Sequence, residues 1–180
     1  MLSLRSAIGV VWVAFWVYWL VSAAGAKEGT RTRRIRPPGL LLGVLAVVLL
    51  HVFRGGTLAV HSPLVKGVGV VLFLAGLGLA VWARVHLGRN WGMPMTLKDE
   101  PELVTSGPYR LVRHPIYSGI LLGMLGTALA TNLFWLIALV VMGAYFLHSA
   151  KVEERLMTDS FPGAYPGYRA RTKMLVPFVL

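Results

Sequence analysis

The sequence contains no cysteine. Disulfides, thiolate metal sites, a cysteine nucleophile and S-acylation are therefore excluded together, while the compartment is left open. Acidic residues are scarce as well: seven Asp and Glu stand against 18 Lys and Arg, for a net charge of +11. There is no Walker loop, no G-x-G-x-x-G and no serine in a nucleophile elbow. Alternating apolar strands of the kind that build a membrane barrel are missing, as are internal repeats and low-complexity segments. No spacing suits a metal: His51 and His61 stand ten residues apart and read as interfacial side chains.

What is present is mostly apolar. Of 180 residues, 56% are hydrophobic and only 14% charged, with a mean hydropathy of +0.67. A soluble domain is less apolar than this. In a soluble protein such basicity would point to nucleic acid; here it points to an anionic membrane leaflet. A chain of this size reads as one domain, burying its apolar surface in lipid and helix contacts.

Five apolar segments follow one another, at about residues 4–26, 39–53, 63–85, 116–130 and 133–150. The fold class expected is an all-α integral membrane protein with five transmembrane helices. The first segment competes with a signal peptide, since Ala24-Gly25-Ala26 has the form of a cleavage site. Its long Trp- and Tyr-rich core, followed at once by cations, favours a span. The second segment is short for a span. In the third, Gly69, Gly76, Ala80 and Ala83 share one helical face; in the fourth, Gly119, Gly123, Gly126 and Ala130 form a second small-residue stripe. Both read as packing surfaces for close helix approach. Thr131-Asn132 is so short a turn that segments four and five form an antiparallel hairpin, and the fifth continues as a helix through KVEERLM.

Five spans set the polar loops on two sides. One side receives fifteen cations: Lys27, Arg31, Arg33, Arg34 and Arg36; Arg84, Arg89, Lys98, Arg110 and Arg113; Lys151, Arg155, Arg169, Arg171 and Lys173. The other receives Arg5, Arg54 and Lys66. This bias places the fifteen in the cytoplasm, the N-terminus outside and the C-terminus inside. Two polar stretches then meet on the cytoplasmic side: the hinge at residues 106–119, SGPYRLVRHPIYSG, and the chain's last thirty residues. Glu153 and Glu154, adjacent on a helix, diverge by about 100°, so one can face the bundle and the other a loop. Arg110, Arg113 and His114 approach from the hinge, and Tyr109, Tyr117, Tyr145, Tyr165 and Tyr168 supply aromatic walls. By residue chemistry alone, these groups are either boundary charges paired with one another or a cytoplasm-facing pocket open to lipid-soluble ligands.

From Leu87 onward the sequence resembles the family of isoprenylcysteine carboxyl methyltransferase and its prokaryotic relatives. The residues that carry the resemblance are Asn90-Trp91, residues 103–119 (LVTSGPYRLVRHPIYSG), residues 153–156 (EERL), Tyr165 with Tyr168, and Thr172 with Pro177. They cover about half the chain, in the family's order; the first three segments carry no motif. The resemblance implies an integral-membrane methyltransferase that uses S-adenosylmethionine and releases S-adenosylhomocysteine. Its cofactor pocket would be cytoplasmic, formed by the loop before helix four and the C-terminal segment. Leu103, Val104, Gly107, Tyr109, His114, Pro115, Tyr117 and Gly119 would line that pocket, with Glu153 and Glu154 closing it. Arg110 or Arg113 would hold the methionine carboxylate. The acceptor would be a lipophilic or lipidated molecule arriving from the bilayer. A carboxylate acceptor needs only a positioning cation, Arg169 or Arg171; an amine acceptor needs a base, Glu154. No metal and no nucleic acid partner is expected. Two other readings stand beside this one: an NADPH-dependent sterol-reductase-like enzyme, which shares an RHP-like hinge, and a non-enzymatic membrane subunit.

Overall fold

The computed structural model describes residues 3–23, 29–31, 58–91, 96–98 and 102–177. The second apolar segment, 39–53, lies outside the described residues, as does most of the first basic loop.

Helix α1 spans Leu4–Ala23. Ser3 starts it, its hydroxyl accepting from the Ser6 amide at 3.1 Å. Ile8, Phe15 and Trp19 are buried, whereas Val10, Val13, Val17, Leu20 and Val21 are exposed, as a lipid-facing surface requires. Helix α2 spans Pro63–Leu87, with Ser62 as N-cap and proline at its first position, where the missing N–H costs nothing. It ends at Gly88, whose φ of 56° lets its amide return to the Arg84 and Val85 carbonyls. Helix α3 spans Pro115–Ala130, again opened by a proline, and helix α4 spans Trp135–Ser160. Between them Asn132 turns the chain by accepting from the Phe134 amide at 2.8 Å. Helix α5 is a short Tyr165–Arg171 turn in the tail.

Among the described residues, three stretches are long and apolar enough to cross a membrane: Leu4–Ser22, Pro63–Asn90 and Trp135–Ser160. The apolar helix α3, at 16 residues, is shorter. Helix α4 runs well beyond its apolar part and carries Glu153 and Glu154 in continuous helix.

The two small-residue stripes face each other. A Cβ on Gly119 would come within 2.6 Å of the Ala80 amide nitrogen and the Gly76 carbonyl; one on Gly76 would strike the Gly123 amide, and one on Gly126 the Phe73 backbone. Helices α2 and α3 therefore touch backbone to backbone, an approach that no larger side chain permits. Trp12 fastens α1 to this pair, its indole N–H donating to Thr127 Oγ1 at 3.0 Å. At one end of the bundle the residues before α2 are laced to the α3–α4 turn through Val60 N to Thr131 O (3.2 Å) and Leu133 N to Leu58 O (3.0 Å). The C-terminal ends of α1, α2 and α4 and the start of α3 lie at the other end, where the hinge and the tail also lie.

One feature was not expected from the sequence. Gly29–Arg31 (β1) and Thr96–Lys98 (β2) pair as an antiparallel ribbon, Thr30 opposite Leu97. Strands of three residues are too short to show an alternating pattern.

Candidate functional site

The hinge folds as a 3-10 turn, Gly107–Arg110, followed by an extended step into α3. The turn needs Gly107, which has φ 58° and whose missing side chain leaves room for the His86 ring. His86, at the end of α2, bonds Ser106 Oγ at 2.9 Å and stacks near Tyr109. Tyr109 is buried and donates its hydroxyl to the Ala83 carbonyl at 3.4 Å. Nearby, Asn90 donates to Glu102 at 3.0 Å, and Arg84 lies over the Trp91 ring while donating to the Gly88 and Ser22 carbonyls.

The tail lies along the hinge as a strand-like segment. Arg113 N donates to Lys173 O at 2.8 Å, His114 N to Met174 O at 3.0 Å, and the Ser118 hydroxyl to Leu175 O at 2.5 Å. Tyr168 adds a bond from its hydroxyl to the Tyr109 carbonyl at 2.6 Å. Burial pushes the Tyr168 phenol up to about 12, so at neutral pH it keeps the proton that this bond uses.

Side chains converge beneath this seam. Arg113 Nε donates to Glu154 Oε1 at 2.7 Å, and its Nη1 donates to the Arg169 and Thr172 carbonyls. Arg169 Nε reaches Glu154 Oε2 at 3.3 Å. Glu154 is only 4% exposed, while Glu153 is 23% exposed. His114 sits between them, Nδ1 at 3.4 Å from Glu153 and Nε2 at 3.6 Å from Glu154. These distances are charge contacts rather than full hydrogen bonds, and Nε2 is buried without a hydrogen-bond partner. Burial alone would push the imidazole's pKa down; the two carboxylates outweigh it, and His114 rests above its ordinary value. Tyr117 donates its hydroxyl to Glu153 at 2.5 Å. Its ring is parallel to those of His114 (centroids 5.4 Å apart, 6° between planes) and Phe146 (4.3 Å, 8°).

The structure thus brings together Tyr109, Arg113, His114, Tyr117, Glu153, Glu154 and Arg169 from the residues expected. Pro115 is fully buried as the first residue of α3, and Leu103 and Val104 are half-buried on the approach to the hinge. Gly119 turns its open face to α2. Arg110 is exposed and, among the described residues, makes no ion pair. Arg171 is exposed and bonds Gly167 O of its own helix at 3.2 Å. Sequence reasoning missed Ser118 and Phe146. Phe146 precedes Glu153 by seven residues, two helical turns, so helical spacing could have found it.

A family model for phospholipid methyltransferase matches residues 65–164. The chain belongs to that family. The match of this phospholipid methyltransferase family member begins in α2 and takes in the whole hinge, α3, α4 and both glutamates. Methanethiol S-methyltransferase of Pseudomonas sp. (strain GM41(2012)) is 32% identical over 127 residues, 66% of this chain and 48% of the relative. The cobalt-zinc-cadmium resistance protein CzcN of Cupriavidus metallidurans is 32% identical over 139 residues, 76% of this chain and 63% of the relative. Protein-S-isoprenylcysteine O-methyltransferase B of Arabidopsis thaliana is 31% identical over 144 residues, 78% of this chain and 72% of the relative. The chain therefore spans about half of the first relative and less than two thirds of the second.

Proposed function

We propose that this chain is a membrane methyltransferase that transfers the methyl group of S-adenosylmethionine to a lipophilic acceptor, at the end of the bundle where the hinge meets Glu153 and Glu154. The observation that carries the reading is the convergence of His114, Glu153 and Glu154 under the tail seam, inside the region matched by the family. Relatives named for methylating methanethiol and isoprenylcysteine support methyl transfer.

The donor set suits the cofactor. S-adenosylmethionine carries two cationic groups, a carboxylate and a flat ring, and when bound it supplies a methyl group for in-line displacement. Glu153, the more exposed carboxylate, would face a cation, and His114, whose Nε2 lies 3.6 Å from Glu154, would stand beside it. The Tyr109 ring would face the ligand's flat or cationic part, whereas the Tyr117 ring is stacked with His114 and Phe146 and contributes through its hydroxyl on Glu153. Arg113 is engaged with Glu154 and the tail carbonyls, so its part is to hold Glu154 in place. Arg169, 59% exposed, remains within reach of an anionic acceptor.

A carboxylate acceptor is already a nucleophile at neutral pH. An amine or thiol acceptor must lose a proton first. For that step Glu153, 23% exposed against 4% for Glu154, is the more accessible carboxylate, with Tyr117 and His114 orienting it. Five spans, with the N-terminus outside and the site and C-terminus cytoplasmic, remain the proposed arrangement, supported by the distribution of cations.

Titration of the purified full chain in detergent with S-adenosylhomocysteine tests the reading. Saturable binding is expected, with none for NADPH. Saturable NADPH binding without S-adenosylhomocysteine binding would overturn it in favour of a reductase, and binding of neither would return the cluster to a structural role.

A further inference from the structure

Phe146 belongs to none of the sequence motifs, yet it occupies the base of the side-chain stack that ends at the carboxylates. It is 6% exposed and lies on the buried face of α4, together with Ser149, Ala150 and Glu154. Its ring is parallel to Tyr117 within 8° at a centroid distance of 4.3 Å, and Tyr117 is parallel to His114 within 6°. The only hydroxyl in this stack, that of Tyr117, donates to Glu153 at 2.5 Å. A tyrosine ring pivots at Cα and Cβ, so a small tilt there is magnified at the hydroxyl. Two flat neighbours parallel to the ring, at centroid distances of 5.4 and 4.3 Å, suppress that tilt. His114 forms one wall, but His114 itself is held by backbone and by Glu153 and Glu154. Phe146 is the other wall, carried on the same helix as the glutamates.

We infer that Phe146 is a positioning residue: it holds the Tyr117 ring flat against His114 and thereby aims the Tyr117 hydroxyl at Glu153. Glu153, so oriented, keeps one oxygen on Tyr117 Oη and the other toward His114 Nδ1. Phe146 need not touch the ligand. Its effect is transmitted through one hydrogen bond, and that makes it separable from ordinary core packing. The inference rests on the reading of His114 and Glu153 as groups that hold the cofactor, and the experiment has a ligand-free arm for that reason.

The groups that face His114 are Glu153 and Glu154 from α4, Tyr117 from α3 and Arg113 beside it, with Arg169 of α5 across Glu154. Histidine-labelled full-length protein in detergent, with the His114 signal assigned through His114→Gln, reports on this cluster by NMR. The variants are Phe146→Leu, Tyr117→Phe, their combination, Phe146→Tyr as the ring-conserving rescue, and Phe73→Leu as a core control remote from the hinge. Phe146→Met replaces Phe146→Leu if the latter does not fold.

Phe146→Leu and Tyr117→Phe are each expected to move the His114 titration midpoint, and each to weaken S-adenosylhomocysteine binding about tenfold, the worth of one hydrogen bond to a charged group. The combined variant should be no worse than either alone, because both act through the same bond. Phe146→Tyr should restore the wild-type values, and Phe73→Leu should leave them unchanged. Additive losses in the combined variant, or an unmoved His114 midpoint in Phe146→Leu, overturn the inference. If wild-type protein does not bind S-adenosylhomocysteine, the cofactor reading falls, and the non-additivity of the His114 midpoints alone decides whether Phe146 positions Tyr117.

Discussion

Arg113 Nε lies 2.7 Å from Glu154 Oε1, joining the hinge to a helix residue 41 positions later in the chain. Both side chains are nearly buried, at 8% and 4% exposure. A charge pair in that setting matters most when it is broken, because the survivor is left buried and uncompensated. Arg113→Met or Glu154→Gln should each destabilise the detergent-solubilised protein by about 3–5 kcal/mol. The double variant should lose less than the sum of the two. Chemical denaturation of the three variants checks this; additive losses would mean that the pair is not coupled. Because Glu154 is part of this clasp, His114→Gln is the cleaner test of ligand contact.

The α2–α3 contact sets a sharp contrast between glycines. Gly126→Ala drives a methyl into the Phe73 backbone, whereas a methyl on Gly78 meets nothing within 4 Å. Gly126→Ala should cost about 1–3 kcal/mol, while Gly78→Ala should be neutral or stabilising by up to about 1 kcal/mol. Thermal unfolding in detergent distinguishes them. Equal midpoints would disprove the backbone-to-backbone approach.

His114 has a native pKa above its ordinary 6.5. The folded state thus binds the proton more tightly than the unfolded chain. The stability it contributes is fully present below about pH 6.5 and is lost as pH rises through the raised native value. Melting temperature against pH should show wild type exceeding His114→Gln by a margin that shrinks as the medium becomes alkaline. A margin that grows with pH would reverse the sign of the argument.

Tyr168→Phe removes the 2.6 Å bond to the Tyr109 carbonyl and leaves a buried acceptor unpaired. A loss of about 1–3 kcal/mol is expected. It should be concentrated in the tail, so that limited proteolysis within residues 161–177 accelerates before the helical bundle yields. Unchanged cleavage would show that the seam along Lys173 and Met174 holds the tail without Tyr168.

Tags at the two termini should report opposite sides of the membrane, the N-terminus outside, as an odd number of spans requires. Accessibility of both tags from one side would exclude five spans.

The membrane class, the two small-residue stripes, the polar hinge and the EERL helix extension were legible in the sequence. Each is a local matter, written in composition or in a 3.6-residue period. Residues 69, 76, 119 and 126 announce close packing on their own helices. That the two stripes meet each other is a pairwise fact, and no single helix encodes its partner. The same limit applies to the cations. Arg110 and Arg113 are three residues apart and chemically alike, yet the turn of the hinge leaves Arg110 in solvent and sends Arg113 under the tail to Glu154. Likewise, the divergence of Glu153 and Glu154 follows from helical geometry, but which one becomes the buried partner depends on where α5 and the hinge converge. Phe146 shows no motif at all. It matters because the Tyr117 ring of α3, itself stacked with His114 of the hinge, stacks on it, and long-range stacking of that kind comes into being only when the chain closes on itself.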